Sequence, residues 1–120
     1  MKDIYIVNCC RTAVGSFGGS LKDVSAVEMG SIVVKEALKR SGVAPENVDE
    51  VIFGGVLTAG LGQNVARQVM VKAGIPYSVP AFTVNMVCGS GMKTVMDAAR
   101  GILARDAAVI VAGGTVGMSQ

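Results

Sequence analysis

The sequence contains no histidine and no tryptophan, and this limits the chemistry that its 120 residues can perform. Without histidine, both the commonest metal ligand and the commonest general base at neutral pH are missing. The three cysteines, Cys9, Cys10 and Cys88, form no CxxC pair, so no zinc-binding spacing exists. An odd number of cysteines, two of them adjacent, also excludes a disulfide framework and favours a reducing compartment, the cytoplasm.

Charged residues are few as well, and they are not clustered. They make up 17% of the chain and leave a net charge of +2, without the basic patch that a nucleic-acid-binding protein needs. No apolar run approaches the roughly 18 residues that a membrane span requires, and the apolar start is too short for a signal peptide. Apolar residues nevertheless make up 51% of the chain. We therefore expect another domain or subunit to cover part of its surface.

The hydrophobic pattern alternates between runs typical of buried strands and the spacing typical of helices. The predicted strands are 4–10, 48–57, 81–87 and 107–112, and the predicted helices are 25–40, 64–73 and 90–105. Alternation of this kind predicts an α/β fold, βαβαβαβ in order, with a mainly parallel sheet. The third helix is apolar on most of its circumference, so we expect it to be central and buried. One sheet cannot cover it on every side, which indicates that a second half is missing.

Cys88 lies between a predicted strand and a predicted helix, where α/β sheets place their functional sites. Free N–H groups and the partial positive charge of a helix start favour the thiolate, and Gly89 and Gly91 allow a ligand to approach the backbone. Cys88 is therefore a candidate nucleophile, with a buried cysteine acting as a small hydrophobe as the alternative. For Cys9 and Cys10, inside the first predicted strand, we favour the packing role.

No partner for such a nucleophile is evident in the sequence. Neither glycine cluster, at 60–62 or at 89–91, completes a GxGxxG motif, so a dinucleotide-binding module is only a weak alternative. Lys93 is a poor substitute for a catalytic base. The remaining candidates read as solvated charges: Glu28, Glu36, Glu46 and Glu50. The chain is therefore either not an enzyme or an incomplete one.

Four segments together resemble the thiolase family, in the family's order and spacing. Residues 84–93 (VNMVCGSGMK) resemble the segment that carries the acyl-accepting cysteine, here Cys88. The other three are 11–19 (RTAVGSFGG), 62–68 (GQNVARQ) and 112–119 (AGGTVGMS). The resemblance covers the whole chain and identifies residues 1–120 as an incomplete amino-terminal thiolase domain, without the carboxy-terminal half. It implies that the chain is one half of a layered αβαβα architecture.

The resemblance implies acyl transfer between CoA thioesters, in which two acetyl-CoA molecules give acetoacetyl-CoA and CoA, or the reverse. Cys88 would carry the acetyl group, and its backbone N–H would help to hold the oxyanion. The substrates would be acetyl-CoA and acetoacetyl-CoA, with no metal or redox cofactor, in a homodimer or homotetramer. The GQNVARQ segment would lie near the dimer contact and the active site. A longer-chain 3-ketoacyl-CoA thiolase and a non-catalytic thiolase-derived fragment remain alternatives.

The sequence departs from the family pattern in three places. Ala13 stands where the first loop usually has proline, and Val116 and Gly117 stand where the last segment usually has glutamate and a small polar residue. The family's later half carries a histidine, an asparagine-bearing motif and a second cysteine that acts as acid and base. No position among these 120 residues matches them. We therefore expect the chain alone to be inactive.

Overall fold

The computed structural model describes residues 2–120, so Met1 of the predicted domain lies outside the described residues. Three helices and three strands alternate along this part of the chain. They are α1 (Ala26–Ser41), β1 (Glu50–Gly54), α2 (Val65–Lys72), β2 (Ala81–Val84), α3 (Ser90–Leu103) and β3 (Ile110–Gly114), with a short 3-10 turn at Pro45–Asn47. The predicted helices agree within two residues at either end, whereas the strands are shorter than the apolar runs that predicted them.

The strands form one parallel sheet in the order β2-β1-β3. Gly54, the last residue of β1, pairs with Val84 on one side and with Gly114 on the other. The three strands therefore end together, and the loops that follow them share one edge of the sheet. This confirms the predicted α/β class and the parallel sheet.

Helices cover both faces of the sheet. On one face, Val51 and Phe53 pack into a core with Val34 and Leu38 of α1 and with Val69 of α2. Strand residues alternate between faces, so Gly54 turns to the opposite face, where its neighbour is the backbone of Ser90 at the start of α3. The result is a three-layer arrangement with the sheet in the middle.

Local signals explain where α1 begins and ends. The Ser25 hydroxyl accepts a hydrogen bond from the backbone N–H of Glu28 at 3.0 Å, which satisfies one free donor of the first turn. Gly42 ends the helix with φ of 70°, a left-handed conformation that glycine adopts without a steric penalty. Across residues 2–120, none of the helices has both the length and the apolar character to cross a membrane.

The first predicted strand, Ile4–Cys10, is wrong. The segment carries no strand, and Tyr5, Ile6 and Val7 are 76%, 78% and 67% exposed. The apolar pattern reflects a tendency to be buried, but a strand also needs a partner, and nothing in residues 2–120 pairs with this segment. The observed order is therefore αβαβαβ.

The predicted burial of the third helix holds for one side only. Ser90, Thr94 and Ala98 are buried against the sheet. The opposite side is exposed, and we call its large apolar residues the uncovered face of α3: Met92, Val95, Met96 and Leu103. In this chain α3 is an outer helix, because only one sheet is present to cover it.

Candidate functional site

Cys88 lies in a tight turn between β2 and α3, at the carboxyl edge of the sheet. Strand β2 ends at Val84, and α3 begins only six positions later. The Cys88 side chain is exposed. Gly89 is the residue before the first helical turn of α3, and no side chain caps this end of the helix. Sequence reasoning thus placed Cys88 correctly, at an open helix start beside the ends of three parallel strands.

The turn contains a strained residue that sequence reasoning missed. Val87 has φ of 50°, in the left-handed region. A β-branched residue is rarely found there, since its side chain crowds its own backbone. Such a conformation costs about 1–3 kcal/mol and persists only where neighbouring groups enforce it. The sequence pattern had extended β2 through Val87, because valine is a strong strand former.

Three side-chain hydrogen bonds enforce this conformation. The buried Ser90 hydroxyl donates to the Val87 carbonyl oxygen at 2.7 Å and accepts from the Met86 N–H at 2.8 Å. The Asn85 Oδ1 accepts from the Val87 N–H at 3.0 Å. The Asn85 Nδ2 also donates to the Val56 carbonyl oxygen at 3.1 Å, which ties the turn to the loop after β1. Both polar groups of the Val87 backbone therefore have side-chain partners.

Glycines let α3 approach the sheet closely enough to form this turn. A Cβ atom on Gly54 would lie only 2.6 Å from the Ser90 carbonyl carbon. A Cβ atom on Gly114 would lie 3.3 Å from the Gly91 Cα. A side chain at either strand end would push the helix start outward, together with Cys88. Gly91 differs, because a Cβ atom there would meet nothing within 4 Å.

No side chain in the described part of the chain forms a hydrogen bond with the Cys88 thiol. The Lys93 ammonium is paired with the Asp97 carboxylate at 3.2 Å. Burial, with a contribution from the Asp106 carboxylate, raises the pKa of Glu50 above its ordinary value, so Glu50 is not the simple solvated charge that we expected. Glu50 begins β1, however, and therefore lies at the opposite end of the sheet from Cys88.

The other two cysteines do not lie in a strand as predicted. Cys9 is exposed, and Cys10 is half-buried, with its thiol 3.1 Å from the Val33 carbonyl oxygen of α1. The packing role that we favoured therefore describes Cys10 only. Neither cysteine lies in a strand, because residues 4–10 pair with no strand in the described part of the chain.

The GQNVARQ segment holds α2 against β2 through its polar side chains. Asn64, itself at φ of 47°, accepts from the Arg67 N–H at 3.2 Å and donates to the Ala81 carbonyl oxygen at 3.0 Å. The Arg67 guanidinium donates to the carbonyl oxygens of Tyr77 and Val79, each at 2.8 Å. Each of these groups has a partner inside the chain, so the segment stabilises the fold.

The first loop and the last segment lie together. The Gly18 N–H donates to the Ser119 hydroxyl at 2.8 Å, across 101 positions. The Thr115 hydroxyl donates to the Ala26 carbonyl oxygen at 2.7 Å, which joins the end of β3 to the start of α1. Val116 and Gly117, which replace polar residues of the family pattern, lie in the same stretch.

Comparison with known proteins agrees with this geometry. The family described as "Thiolase, N-terminal domain" matches residues 4–120. The chain belongs to the thiolase family. This thiolase chain is 60% identical over 119 residues to an acetyl-CoA acetyltransferase of Cupriavidus necator, covering 99% of the chain and 30% of that relative. It is 56% identical over 117 residues to a mouse protein named "Acetyl-CoA acetyltransferase, cytosolic", covering 98% of the chain and 30% of the relative.

A solved structure shows the same fold. The Acat5 thiolase of Ascaris suum, determined in complex with coenzyme A, matches with a TM-score of 0.92 and 43% identity. The match covers 94% of this thiolase chain and 30% of the Ascaris chain. The chain therefore spans about 30% of the length of the relatives that it matches here.

Proposed function

We propose that Cys88 is the nucleophile of an acetyl-CoA acetyltransferase, which joins two acetyl-CoA molecules into acetoacetyl-CoA and CoA, reversibly. The observation that carries the proposal is an exposed thiol on a strained turn at the uncapped start of α3. Strain of this kind, enforced by side-chain hydrogen bonds, is typical of functional sites. The names of the relatives support acetyl-CoA as the substrate.

In the first step, the Cys88 thiolate attacks the thioester carbonyl carbon of acetyl-CoA. The carbon–sulfur bond to Cys88 forms, and negative charge develops on the carbonyl oxygen. Backbone N–H groups at the helix start are suited to stabilise that charge, and the Cys88 N–H is the donor that we propose. The oxyanion then collapses and the bond to CoA breaks. A base from outside these residues, which took the proton of the Cys88 thiol, returns it to the CoA thiolate.

The second step needs a group that these 120 residues do not supply. A second acetyl-CoA must lose an α-proton before its carbon can attack the acetyl group on Cys88. The chain has no histidine, Lys93 is paired with Asp97, and Glu50 lies at the wrong end of the sheet. We therefore propose that residues 1–120 are an incomplete domain and that the base comes from outside them.

The proposal extends to the cofactors, the oligomeric state and the location of the complete enzyme. Acyl transfer through a thiol needs no metal or redox cofactor, only a nucleophile, oxyanion donors and a proton acceptor. The uncovered face of α3 supports a second half, outside residues 1–120, that buries this apolar surface. For the complete enzyme we propose a homodimer or homotetramer. The mouse relative's name supports a cytoplasmic location.

The experiment grafts residues 1–120 in place of the corresponding part of the Cupriavidus necator relative. Cleavage of acetoacetyl-CoA in the presence of CoA is followed by the loss of enolate absorbance. We expect turnover in the chimaera, none in its Cys88→Ala variant, and normal turnover in its Cys9→Ala variant, because only the Cys88 sulfur forms the intermediate. Near-normal turnover after Cys88→Ala would rule out Cys88 as the nucleophile.

A further inference from the structure

We propose that Ser90 is a positioning residue for Cys88: its hydroxyl holds Val87 in the left-handed conformation that sets the direction of the thiol. This inference rests on the proposed role of Cys88 as the nucleophile. Ser90 itself is 4% exposed and does not need to touch the substrate. It acts through the backbone of the residues that precede Cys88.

The direction of the Ser90 hydrogen bonds carries the argument. A serine at a helix start usually accepts a bond from a helical N–H and so caps the helix. The Ser90 hydroxyl instead turns back to the loop, where it bonds to Met86 at 2.8 Å and to Val87 at 2.7 Å. The Ser90 hydroxyl therefore uses its donor on Val87 and one acceptor site on Met86, both of which precede Cys88. They close a small ring of the chain, 86–90, with Cys88 inside it.

The helix start gives Ser90 a fixed base from which to hold this ring. Its backbone lies directly over Gly54, so it cannot shift toward the sheet. Without the hydroxyl, the Val87 carbonyl keeps only the backbone bond from the Ser90 N–H, at 3.2 Å. We expect Val87 then to leave the left-handed region, which is unfavourable for a β-branched residue. A change in one φ angle directly before Cys88 moves the sulfur away from its place at the helix start.

Thr94 provides a matched control on the same side of α3. It is fully buried, and its hydroxyl donates to the Gly91 carbonyl oxygen at 2.7 Å, within the helix. Replacing Thr94 by valine removes a buried hydroxyl without touching the turn. A purely structural effect on α3 would appear in both variants, whereas an effect on the turn would appear only in Ser90→Ala.

The test uses the chimaera with the Cupriavidus necator relative, in which Cys9 is an internal reference for the reactivity of Cys88. Iodoacetamide labelling is followed by peptide mass spectrometry, and acetyl transfer from acetyl-CoA to Cys88 is measured in parallel. We expect Ser90→Ala to lower the Cys88-to-Cys9 labelling ratio at least about threefold, as the thiol leaves the helix start. We expect it to slow acetylation about ten- to a hundredfold. Thr94→Val should leave both unchanged.

A rescue variant tests whether Ser90 acts through the backbone conformation of residue 87. Glycine takes a positive φ freely, so Val87→Gly added to Ser90→Ala should restore most of the labelling ratio. If Ser90→Ala does not fold, Asn85→Ala replaces it, because it removes the other side-chain bond to Val87 from an exposed position. An unchanged ratio in the turn variants, or an equal loss in Thr94→Val, overturns the role of Ser90. Absence of acetylation in the chimaera without these substitutions would instead count against the proposed function, and the labelling ratios would still decide the placement of Cys88.

Discussion

Gly54→Ala tests whether the close approach of α3 to the sheet sets the site. The new Cβ atom would lie 2.6 Å from the Ser90 carbonyl carbon and 2.7 Å from its oxygen. Carbon atoms in ordinary contact are about 3.5–4.0 Å apart, so the helix start must retreat by about 1 Å. Overpacking of this kind costs about 1–3 kcal/mol. For a domain of this size, the expected fall in Tm is about 4–12 °C.

The direction of the stability change shows whether a Cβ atom at position 54 meets the helix. Where the backbone permits it, alanine in place of glycine stabilises a protein by about 0.4–1 kcal/mol, because it restricts the unfolded chain. Gly91→Ala is the control, since its Cβ atom meets nothing within 4 Å and alanine favours the helix. Thermal unfolding followed by circular dichroism compares the two. If Gly54→Ala were as stable as the unmodified chain, the close contact between β1 and α3 would be refuted.

Three further outcomes are expected. Hydrogen bonds from the backbone N–H groups of Ala108 and Val109 lower the pKa of Asp49. The Asp49 carboxylate therefore stabilises the fold above the pKa of the unfolded chain, about 3.9, and this stabilisation is lost as the pH falls through the lower pKa of the folded chain. Urea unfolding should therefore show Asp49→Asn as less stable at neutral pH, with the difference vanishing in acid; a constant difference would contradict this. Arg67→Lys should cost about 1 kcal/mol in the same assay, because an ammonium group cannot replace the two-pronged contact with two carbonyl oxygens; an unchanged midpoint would contradict it. The chain alone should give no thiolase turnover and should associate in light scattering through the uncovered face of α3; a monodisperse monomer would argue against a missing cover.

The helices were predictable because their signals are local. The apolar spacing of α1 and the glycine at 42 lie within the segment that they define, and the structure places the helix at Ala26–Ser41 against a predicted 25–40. The parallel sheet followed from the alternation of helices and strands. Cys88 was found for the same reason, since a strand end, a glycine and a helix start are adjacent in the sequence.

The failures came from interactions that the hydrophobic pattern of a segment does not show. Ile4–Cys10 has the composition of a strand, but pairing depends on a partner that no local pattern specifies. Val87 was assigned to β2 because its own preference is extended, whereas the hydroxyl of Ser90 and the amide of Asn85 impose a different conformation. A valine followed closely by a serine at a helix start does not by itself predict a left-handed valine. The strained residue could be found only from its hydrogen bonds.

The order of strands in the sheet has a consequence for the sequence of steps in which the chain folds. β1 pairs first in sequence with β2, through α2, and only later with β3, whose preceding residue Val109 bonds to Asp49 across 60 positions. Contacts of such long range form slowly. A β1-α2-β2 unit can therefore assemble before β3 joins the sheet. The turn that contains Cys88 follows β2 in the chain. It reaches its final conformation only when α3 packs against both β1 and β3.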